Sequence, residues 1–121
     1  MPWQYSQRTR RLTRNGEQVG NRGYSGARPW QNDPRAEHLR DQGPIPRGQY
    51  TIGGAVDRED KGPVTMSLTP VGHNARGRTS FLIHGDSIEN SGEASTGCIV
   101  LGRFERQRIA ASGDTVLMVV E

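Results

Sequence analysis

Phe81-Leu82-Ile83-His84-Gly85-Asp86 and Ser95-Thr96-Gly97-Cys98-Ile99-Val100-Leu101 are the two stretches that decide how this chain of 121 residues folds. Each contains a short apolar run bounded by polar residues and glycine, a pattern that is typical of buried strands. A polar loop, residues 87–96, joins them. If the two strands pair, this loop folds back and brings His84 and Cys98, which both lie at strand-loop boundaries, to one rim of a sheet.

The rest of the sequence predicts further short strands separated by turns. Apolar and polar residues alternate in 3–19, 49–52 and 64–68, and residues 116–120 form a continuous apolar run. Within the first segment, Asn15-Gly16 is a strong signal for a hairpin turn. We expect Pro70 to end the strand over 64–68, because proline cannot donate to a strand ladder.

Two short helices are expected besides the strands. Asp33 and Pro34 have the residue types of an N-cap and a first helical position, so a helix of two turns is predicted there, ending at Gly43. A second helix is predicted over 103–111, with Phe104 and Ile109 packed on the sheet. The sequence therefore predicts one mainly β domain over residues 1–121, a sandwich or partly closed barrel with one or two short helices.

Composition restricts the classes of function. Hydrophobic residues make up 31% of the chain, and no run approaches the roughly 18 apolar residues that span a membrane. Sixteen Lys and Arg against 13 Asp and Glu give a net charge of +3, too modest and too mixed for a nucleic-acid surface. The first residues contain no apolar signal core, so we expect synthesis in the cytoplasm without a signal peptide.

The single cysteine, Cys98, is the candidate nucleophile. One cysteine excludes an intramolecular disulfide and a multi-cysteine zinc site. Only a thiolate attacks, and a nearby imidazole such as that of His84 would accept the thiol proton. Gly97 lets the backbone approach closely, so that N–H groups there would stabilise an oxyanion. The other interpretation is that Cys98 is a small core residue and His84 a hydrogen-bonded edge residue.

The same residues carry a family resemblance. His84-Gly85-Asp86 followed by Ser95-Thr96-Gly97-Cys98-Ile99 resembles the catalytic signature of the L,D-transpeptidase (YkuD-like) domain. Over nearly the whole chain, the order of segments is similar to the compact L,D-transpeptidase effectors of type VI secretion systems, the Tlde-type antibacterial toxins. The segments that carry this closer resemblance are Trp3-Gln4-Tyr5, Gly23-Tyr24-Ser25-Gly26, Asn32-Asp33-Pro34, Gly43-Pro44-Ile45-Pro46 and Phe81–Asp86, together with the cysteine motif.

The resemblance implies acyl transfer on peptidoglycan stem peptides, with no metal and no cofactor. Cys98 would attack the carbonyl before the terminal D-alanine of a tetrapeptide stem, and His84 would carry the proton. The thioester would pass to water, to a free D-amino acid or to another stem, giving L,D-carboxypeptidase, exchange or L,D-transpeptidase activity. The resemblance also implies delivery to the periplasm of a target bacterium, with a cognate immunity protein and a secretion-apparatus carrier as partners.

Two positions depart from the family pattern. Thr96 stands where many L,D-transpeptidases have histidine, and Val100 stands where many have arginine or asparagine. The attacking groups are thus present, while the groups that hold the substrate must differ. We expect Arg78 and His73 to supply the cation that a D-alanine carboxylate needs, with Arg103 as a further candidate.

The residues next to the predicted nucleophile and base complete the predicted site. Gly85, Asp86 and Thr96 are expected to contact substrate. Asp86 has two possible roles, holding the loop through an Asx-turn or tuning His84. Ser95 is grouped with the catalytic residues, since its hydroxyl would either orient His84 or the acyl group, or cap the turn.

Three other classes of protein fit parts of the pattern. A non-catalytic module that binds cell wall or a partner protein would need neither Cys98 nor His84. A papain-like enzyme usually has its cysteine before its histidine and at the start of a helix, the reverse of the order here. A zinc site would use His73, His84, Cys98 and Asp86, although these spacings contain no compact ligand pair.

Overall fold

The computed structural model describes residues 2–121, which contain ten strands, one α-helix and two short 3-10 helices. The strands are β1 (Trp3–Ser6), β2 (Leu12–Arg14), β3 (Glu17–Gly20), β4 (Tyr24–Ser25), β5 (Gly48–Ile52), β6 (Val56–Arg58), β7 (Gly62–Val71), β8 (Phe81–His84), β9 (Ile99–Val100) and β10 (Val116–Val120). The 3-10 helices are Pro34–Ala36 and Ala75–Gly77, and α1 is Arg103–Ser112. No helix within residues 2–121 has the length and apolar character needed to cross a membrane.

The strands form one mixed sheet with the order β3-β2-β1-β10-β5-β7-β8-β9-β4, and β6 pairs with β7 beside this path. Two neighbouring pairs are parallel, β1 with β10 and β8 with β9. The prediction of a mainly β fold is confirmed, since strands account for 35% of the residues. The sheet is not closed into a barrel, and one of the two expected helices is an α-helix.

The first part of the sheet is a meander that the turn residues specify. Asn15 and Gly16 join β2 to β3, and both have positive φ angles, 56° and 76°. A two-residue hairpin turn with left-handed conformations at both positions matches the twist of the flanking strands, and Asn-Gly adopts it readily. The predicted hairpin is therefore confirmed.

The core is built from side chains on neighbouring strands in the middle of the sheet. Trp3 and Tyr5 on β1, Tyr50 on β5 and Leu117 on β10 are completely buried. They lie together because β10 pairs with β1 on one side and with β5 on the other. The alternation predicted for 49–52 is confirmed, since Tyr50 and Ile52 are buried while Thr51 is exposed.

The prediction that Pro70 ends its strand is wrong. β7 continues to Val71, and Pro70 lies opposite Tyr50 of β5. Within β7, only Met66–Leu68 pair with β8. Pro70 therefore lies where β7 has a neighbouring strand on one side alone. A proline is tolerated at such an edge position, because its missing N–H removes no ladder bond there.

The helix predicted after Asp33 is much shorter than expected. Asp33 does accept a hydrogen bond from the Arg35 N–H, as an N-cap should, but the 3-10 helix ends at Ala36. The Glu37 carbonyl, which a longer helix would need as an acceptor, instead accepts a hydrogen bond from the Arg78 guanidinium. This tertiary contact replaces the next turn of helix.

α1 lies close to its predicted position, but one of its two predicted core residues is wrong. Ile109 is buried, whereas Phe104 is 61% exposed and lies against the Arg108 guanidinium. The second buried residue of the helix is Arg106, one turn before Ile109. The side of α1 that faces the sheet is therefore partly charged.

Candidate active site

The parallel pairing of β8 with β9 brings the histidine and the cysteine together. Ile83 lies opposite Ile99 and His84 lies opposite Val100. Continued by one residue, this register sets Cys98 beside Leu82, two positions before His84. Leu82 and His84 share a face of the sheet because they alternate along β8, and Cys98 lies next to Leu82 in the bend just before β9. The two segments that decide the fold thus also form the candidate site.

The imidazole of His84 has a defined tautomer. Its Nδ1 lies 2.7 Å from the carbonyl oxygen of Gly85, and a carbonyl can only accept, so Nδ1 carries the proton. The unprotonated Nε2 is buried and has no hydrogen-bond partner in the structure. Burial lowers the pKa of His84, with the charges of Lys61 and Arg106 acting in the same direction against the Gly85 carbonyl. His84 is therefore a neutral imidazole with an available lone pair at neutral pH.

The thiol of Cys98 is half-buried and protonated. Its sulfur lies 3.8 Å from the carbonyl oxygen of Ser80, to which the S–H donates. Burial raises the pKa of Cys98, and the Leu82 N–H and the charges of Lys61, Arg58 and Arg78 offset only part of this rise. At neutral pH the candidate site therefore holds a protonated thiol and a neutral imidazole.

The segment before Cys98 is fixed by a buried serine. The Ser95 hydroxyl donates to the Cys98 carbonyl at 2.6 Å and accepts from the N–H groups of Gly26 at 2.9 Å and Gly97 at 3.1 Å. All three partners are backbone groups, so Ser95 holds the turn and does not contact His84. The Gly97 N–H, which was expected to help bind an oxyanion, is occupied by this serine.

Gly97 is required by both its conformation and its surroundings. Its φ angle is 151°, and a Cβ at this position would lie 2.5 Å from Nη2 of Arg78. The Arg78 guanidinium can approach the backbone only because Gly97 has no side chain. The glycine before Cys98 thus admits a buried cation beside the cysteine turn.

Arg78 is occupied by the protein itself. The residue is 5% exposed, and its guanidinium donates to the carbonyl oxygens of Glu37, Gly43, Pro44 and Thr96, at distances between 2.6 and 3.3 Å. It also lies over the ring of Phe81. The structure therefore places Arg78 as a clamp between the 37–44 segment and the cysteine turn, with its terminal nitrogens already bound.

His73 lies away from the cysteine. Its Nε2 donates to the Gln49 carbonyl at 2.9 Å, and its Nδ1 accepts from the Ala75 N–H at 3.1 Å. The ring packs edge-on against Tyr50, and it borders a separate surface concavity with Glu37, Arg47 and Arg76. The fold therefore does not bring His73 to the site. The further candidate, Arg103, is exposed at the start of α1 and does not border the concavities that contain Cys98 or His84.

Asp86 organises the loop that follows His84. Its carboxylate accepts hydrogen bonds from the Tyr24 hydroxyl, the Ser91 hydroxyl and the N–H groups of Ser87 and Gly92. Burial acts to raise the pKa of Asp86, but these donors outweigh it and lower the pKa below its usual value. Burial and, after it, the hydrogen bond with Asp86 raise the pKa of Tyr24 to about 12. Asp86 therefore holds the 87–94 loop against β4 and makes no contact with the imidazole.

Two cations near the site had not been predicted from the sequence. Arg106 donates from α1 to the carbonyls of Leu101 and Pro63, and its guanidinium packs against Gly85, where a Cβ would meet Nη2 at 2.8 Å. Its i, i+3 spacing from the buried Ile109 was the available signal. Lys61 lies at the β6–β7 turn, and no sequence pattern connects that turn with Cys98.

Three concavities meet at Thr96 and form one groove across the site. The cysteine concavity, about 470 Å³, is bordered by Arg40, Arg78 and Cys98. The histidine concavity, about 620 Å³, is bordered by Lys61, His84 and the 85–90 loop. The hairpin concavity, about 670 Å³, is bordered by Arg58, Lys61 and Cys98. Thr96 is exposed and borders all three.

The described residues, 2–121, contain no group of three or more His, Cys, Asp or Glu side chains arranged to hold a metal ion. His73, the first ligand of the alternative zinc set, is engaged by Gln49 and Ala75.

Comparison with known proteins identifies the family. The model of the Tlde1 domain matches residues 20–119 of the chain, a span that contains Cys98, His84 and eight of the ten strands in whole or in part. No curated protein and no solved structure matches the chain. The matched span covers most of the chain, and the protein therefore belongs to the Tlde1 domain family, which is a family of type VI secretion effectors.

Proposed function

We propose that this protein is a cysteine-dependent enzyme that modifies peptidoglycan by acting on tetrapeptide stems. The observation that carries the proposal is the state of His84: Nδ1–H is committed to the Gly85 carbonyl, and Nε2 is buried, unprotonated and without a partner beside the groove that contains Cys98. A buried nitrogen left without a hydrogen bond is costly in a purely structural residue. A general base needs that lone pair to be available.

The proposed first step is acyl transfer to the thiol. The Cys98 sulfur attacks the carbonyl carbon before the terminal D-alanine, while the S–H proton passes to Nε2 of His84. When the tetrahedral intermediate collapses, the C–N bond breaks and the same proton passes from His84 to the departing amine. The products are free D-alanine and a thioester on Cys98, and the Gly85 carbonyl stabilises the transient imidazolium through Nδ1–H.

The second step decides which activity is seen. Water attacking the thioester gives the L,D-carboxypeptidase product, a free D-amino acid gives exchange, and the amine of another stem gives an L,D-cross-link. In each case His84 takes a proton from the incoming nucleophile and returns it to the Cys98 sulfur. No cofactor is required by this sequence of proton transfers.

The surrounding residues have supporting roles in the proposal. The Cys98 N–H is the donor that we assign to the oxyanion, because the Gly97 N–H already binds Ser95. Thr96, at the junction of the three concavities, contacts the bound stem, and Gly85, which borders the histidine concavity, contacts it as well. Ser95 and Asp86 fix the segments on which the reacting groups lie.

The family membership supports the biological setting of the proposal. We propose an antibacterial toxin that acts in the periplasm of a target bacterium, where peptidoglycan stems are accessible. Its partners are then a secretion-apparatus carrier and a cognate immunity protein that protects sister cells. Nucleic-acid binding and membrane insertion have no part in this function.

The test is the digestion of purified wall sacculi, followed by mass spectrometry of the stems with and without an added D-amino acid. Wild type should convert tetrapeptide to tripeptide stems and incorporate the added D-amino acid. Cys98→Ala and His84→Ala should lose at least about 10²-fold in rate, the usual contribution of a positioned base or nucleophile. His38→Ala is the matched control, because His38 is exposed and lies outside the groove.

A non-catalytic binding module would give a different result. Wild type and Cys98→Ala would then both leave the stems unchanged while binding the wall equally, and the enzymatic proposal would be refuted. Stoichiometric zinc in purified active protein would likewise contradict a thiolate mechanism.

A further inference from the structure

Lys61 is the one lysine of the chain, and the fold sets it at the candidate site. It lies in the exposed turn between β6 and β7 and borders both the histidine concavity and the hairpin concavity. Its charge lowers the pKa of His84 and acts in the same direction on Cys98, which is expected for a cation close to both groups. Lys61 therefore borders both the part of the groove that contains His84 and a part that contains Cys98.

The charges around Lys61 leave it available for a ligand. The neighbouring Asp60 carboxylate is bound by Arg58, with contacts of 2.9 and 2.8 Å. Lys61 forms no ion pair with any residue in the described part of the chain. Among the described side chains that border the histidine concavity, it is the only lysine or arginine, and the acidic ones are Asp60, Asp86, Glu89 and Glu93. An anionic group can therefore bind favourably in this concavity only next to Lys61.

The proton transfer in the proposed reaction identifies the anionic group that would bind next to Lys61. The departing amine must receive its proton from His84, so the residue after the cleaved bond lies in the histidine concavity. Its α-carboxylate is attached to the same carbon as that amine and so lies within a few ångströms of His84. Arg78 is bound to backbone carbonyls, and Arg40 borders the cysteine concavity, which does not include His84.

We propose that Lys61 binds the C-terminal carboxylate of the substrate, and so restricts the enzyme to stems that end one residue after the cleaved bond. This inference rests on the proposed function. It supplies the cation that position 100, a valine in this chain, does not provide. A free D-amino acid that enters for exchange would be held by the same contact, with its amine directed at the thioester.

The experiment compares two synthetic tetrapeptide stems that differ only at the C-terminus, one with a free carboxylate and one with a carboxamide. Release of the terminal residue is measured by mass spectrometry as kcat/KM for wild type, Lys61→Gln, Lys61→Arg and Arg40→Gln. Wild type should prefer the carboxylate by about tenfold or more, the usual effect of a charge-assisted contact. The preference should fall to near one in Lys61→Gln and be largely kept in Lys61→Arg. The control is Arg40→Gln, which removes a different cation of the same groove and should keep the wild-type ratio.

The possible results separate the inference from the proposed function. A Lys61→Gln variant that keeps the wild-type preference would overturn the role of Lys61 and leave the enzymatic proposal standing. A wild type that releases nothing from either stem, or no faster than Cys98→Ala, would remove the proposed function and the inference together. Turnover of the carboxamide stem by Lys61→Gln shows that the variant is folded. The preference of wild type should also weaken with added salt, because exposed charges are screened.

Discussion

Replacing Arg78 with methionine should destabilise the domain by about 3–5 kcal/mol, the upper part of what single substitutions cost, because it breaks a buried hydrogen-bond network. The guanidinium is almost completely buried and donates to four backbone carbonyls. Each buried carbonyl left without a donor costs about 1–3 kcal/mol. The sum is an upper limit, because methionine does not require the desolvation of a charge, which in the wild type already lowers the pKa of Arg78. For a domain of this size, the expected loss lowers Tm by roughly 10–20 °C.

The assay is thermal and urea unfolding followed by circular dichroism. Arg78→Lys should be intermediate, since an ammonium has three donors and cannot reach all four carbonyls at once. Arg40→Met is the matched control, because Arg40 is exposed and should change stability by no more than about 0.5 kcal/mol. A loss below about 1 kcal/mol for Arg78→Met would refute the clamp. A raised KM with unchanged stability would instead assign Arg78 to substrate binding, the role expected from the sequence.

Four further predictions concern the candidate site and the loop beside it. Gly97→Ala should abolish activity and lower stability by about 1–3 kcal/mol, because φ is 151° and the new Cβ would meet the Arg78 guanidinium; unfolding and stem release both measure it. The kcat/KM profile should rise with pH through a midpoint below 6.5, since burial lowers the pKa of His84 and the base must be neutral. Alkylation of Cys98 by iodoacetamide should increase up to a pH above 9.0, since burial raises the thiol pKa; a midpoint near 7 would contradict the neutral pair. Asp86→Asn should speed amide hydrogen exchange at Ser87 and Gly92, whose N–H groups the carboxylate binds, and leave exchange in β10 unchanged.

The parts of the fold that could be predicted from the sequence are those that short-range chemistry determines. The Asn15-Gly16 hairpin, the alternation around Tyr50 and the strand that ends at His84 each follow from residues that are adjacent in the chain. Pro70 was misjudged because its effect depends on which side of β7 has a neighbour. That property belongs to the sheet and is not contained in the sequence around the proline.

In the candidate site, too, features set by neighbouring residues could be predicted, whereas features set by tertiary contacts could not. His84 and Cys98 were identified because each ends or precedes a strand, and pairing of those strands was the simplest consequence. The role expected for Arg78 did not anticipate its contacts, because its partners are carbonyl groups, which every residue carries and no sequence pattern distinguishes. Lys61 was missed for a different reason. In the sequence, a charged turn is indistinguishable from an ordinary solvent-exposed turn, and only the order of the strands in the sheet shows that this one borders the groove.

The pairing of β1 with β10 determines how the domain responds to force. These neighbours are parallel, with Trp3 opposite Leu117 and Ser6 opposite Val120, and the contact continues through the Gln7 and Arg8 N–H groups. Tension applied to the two ends of the domain would slide these strands lengthwise past one another. All the hydrogen bonds of that ladder would then carry load at once, whereas a hairpin pulled from its open end breaks them one at a time. The domain should therefore resist stretching between its ends far better than its modest strand lengths suggest.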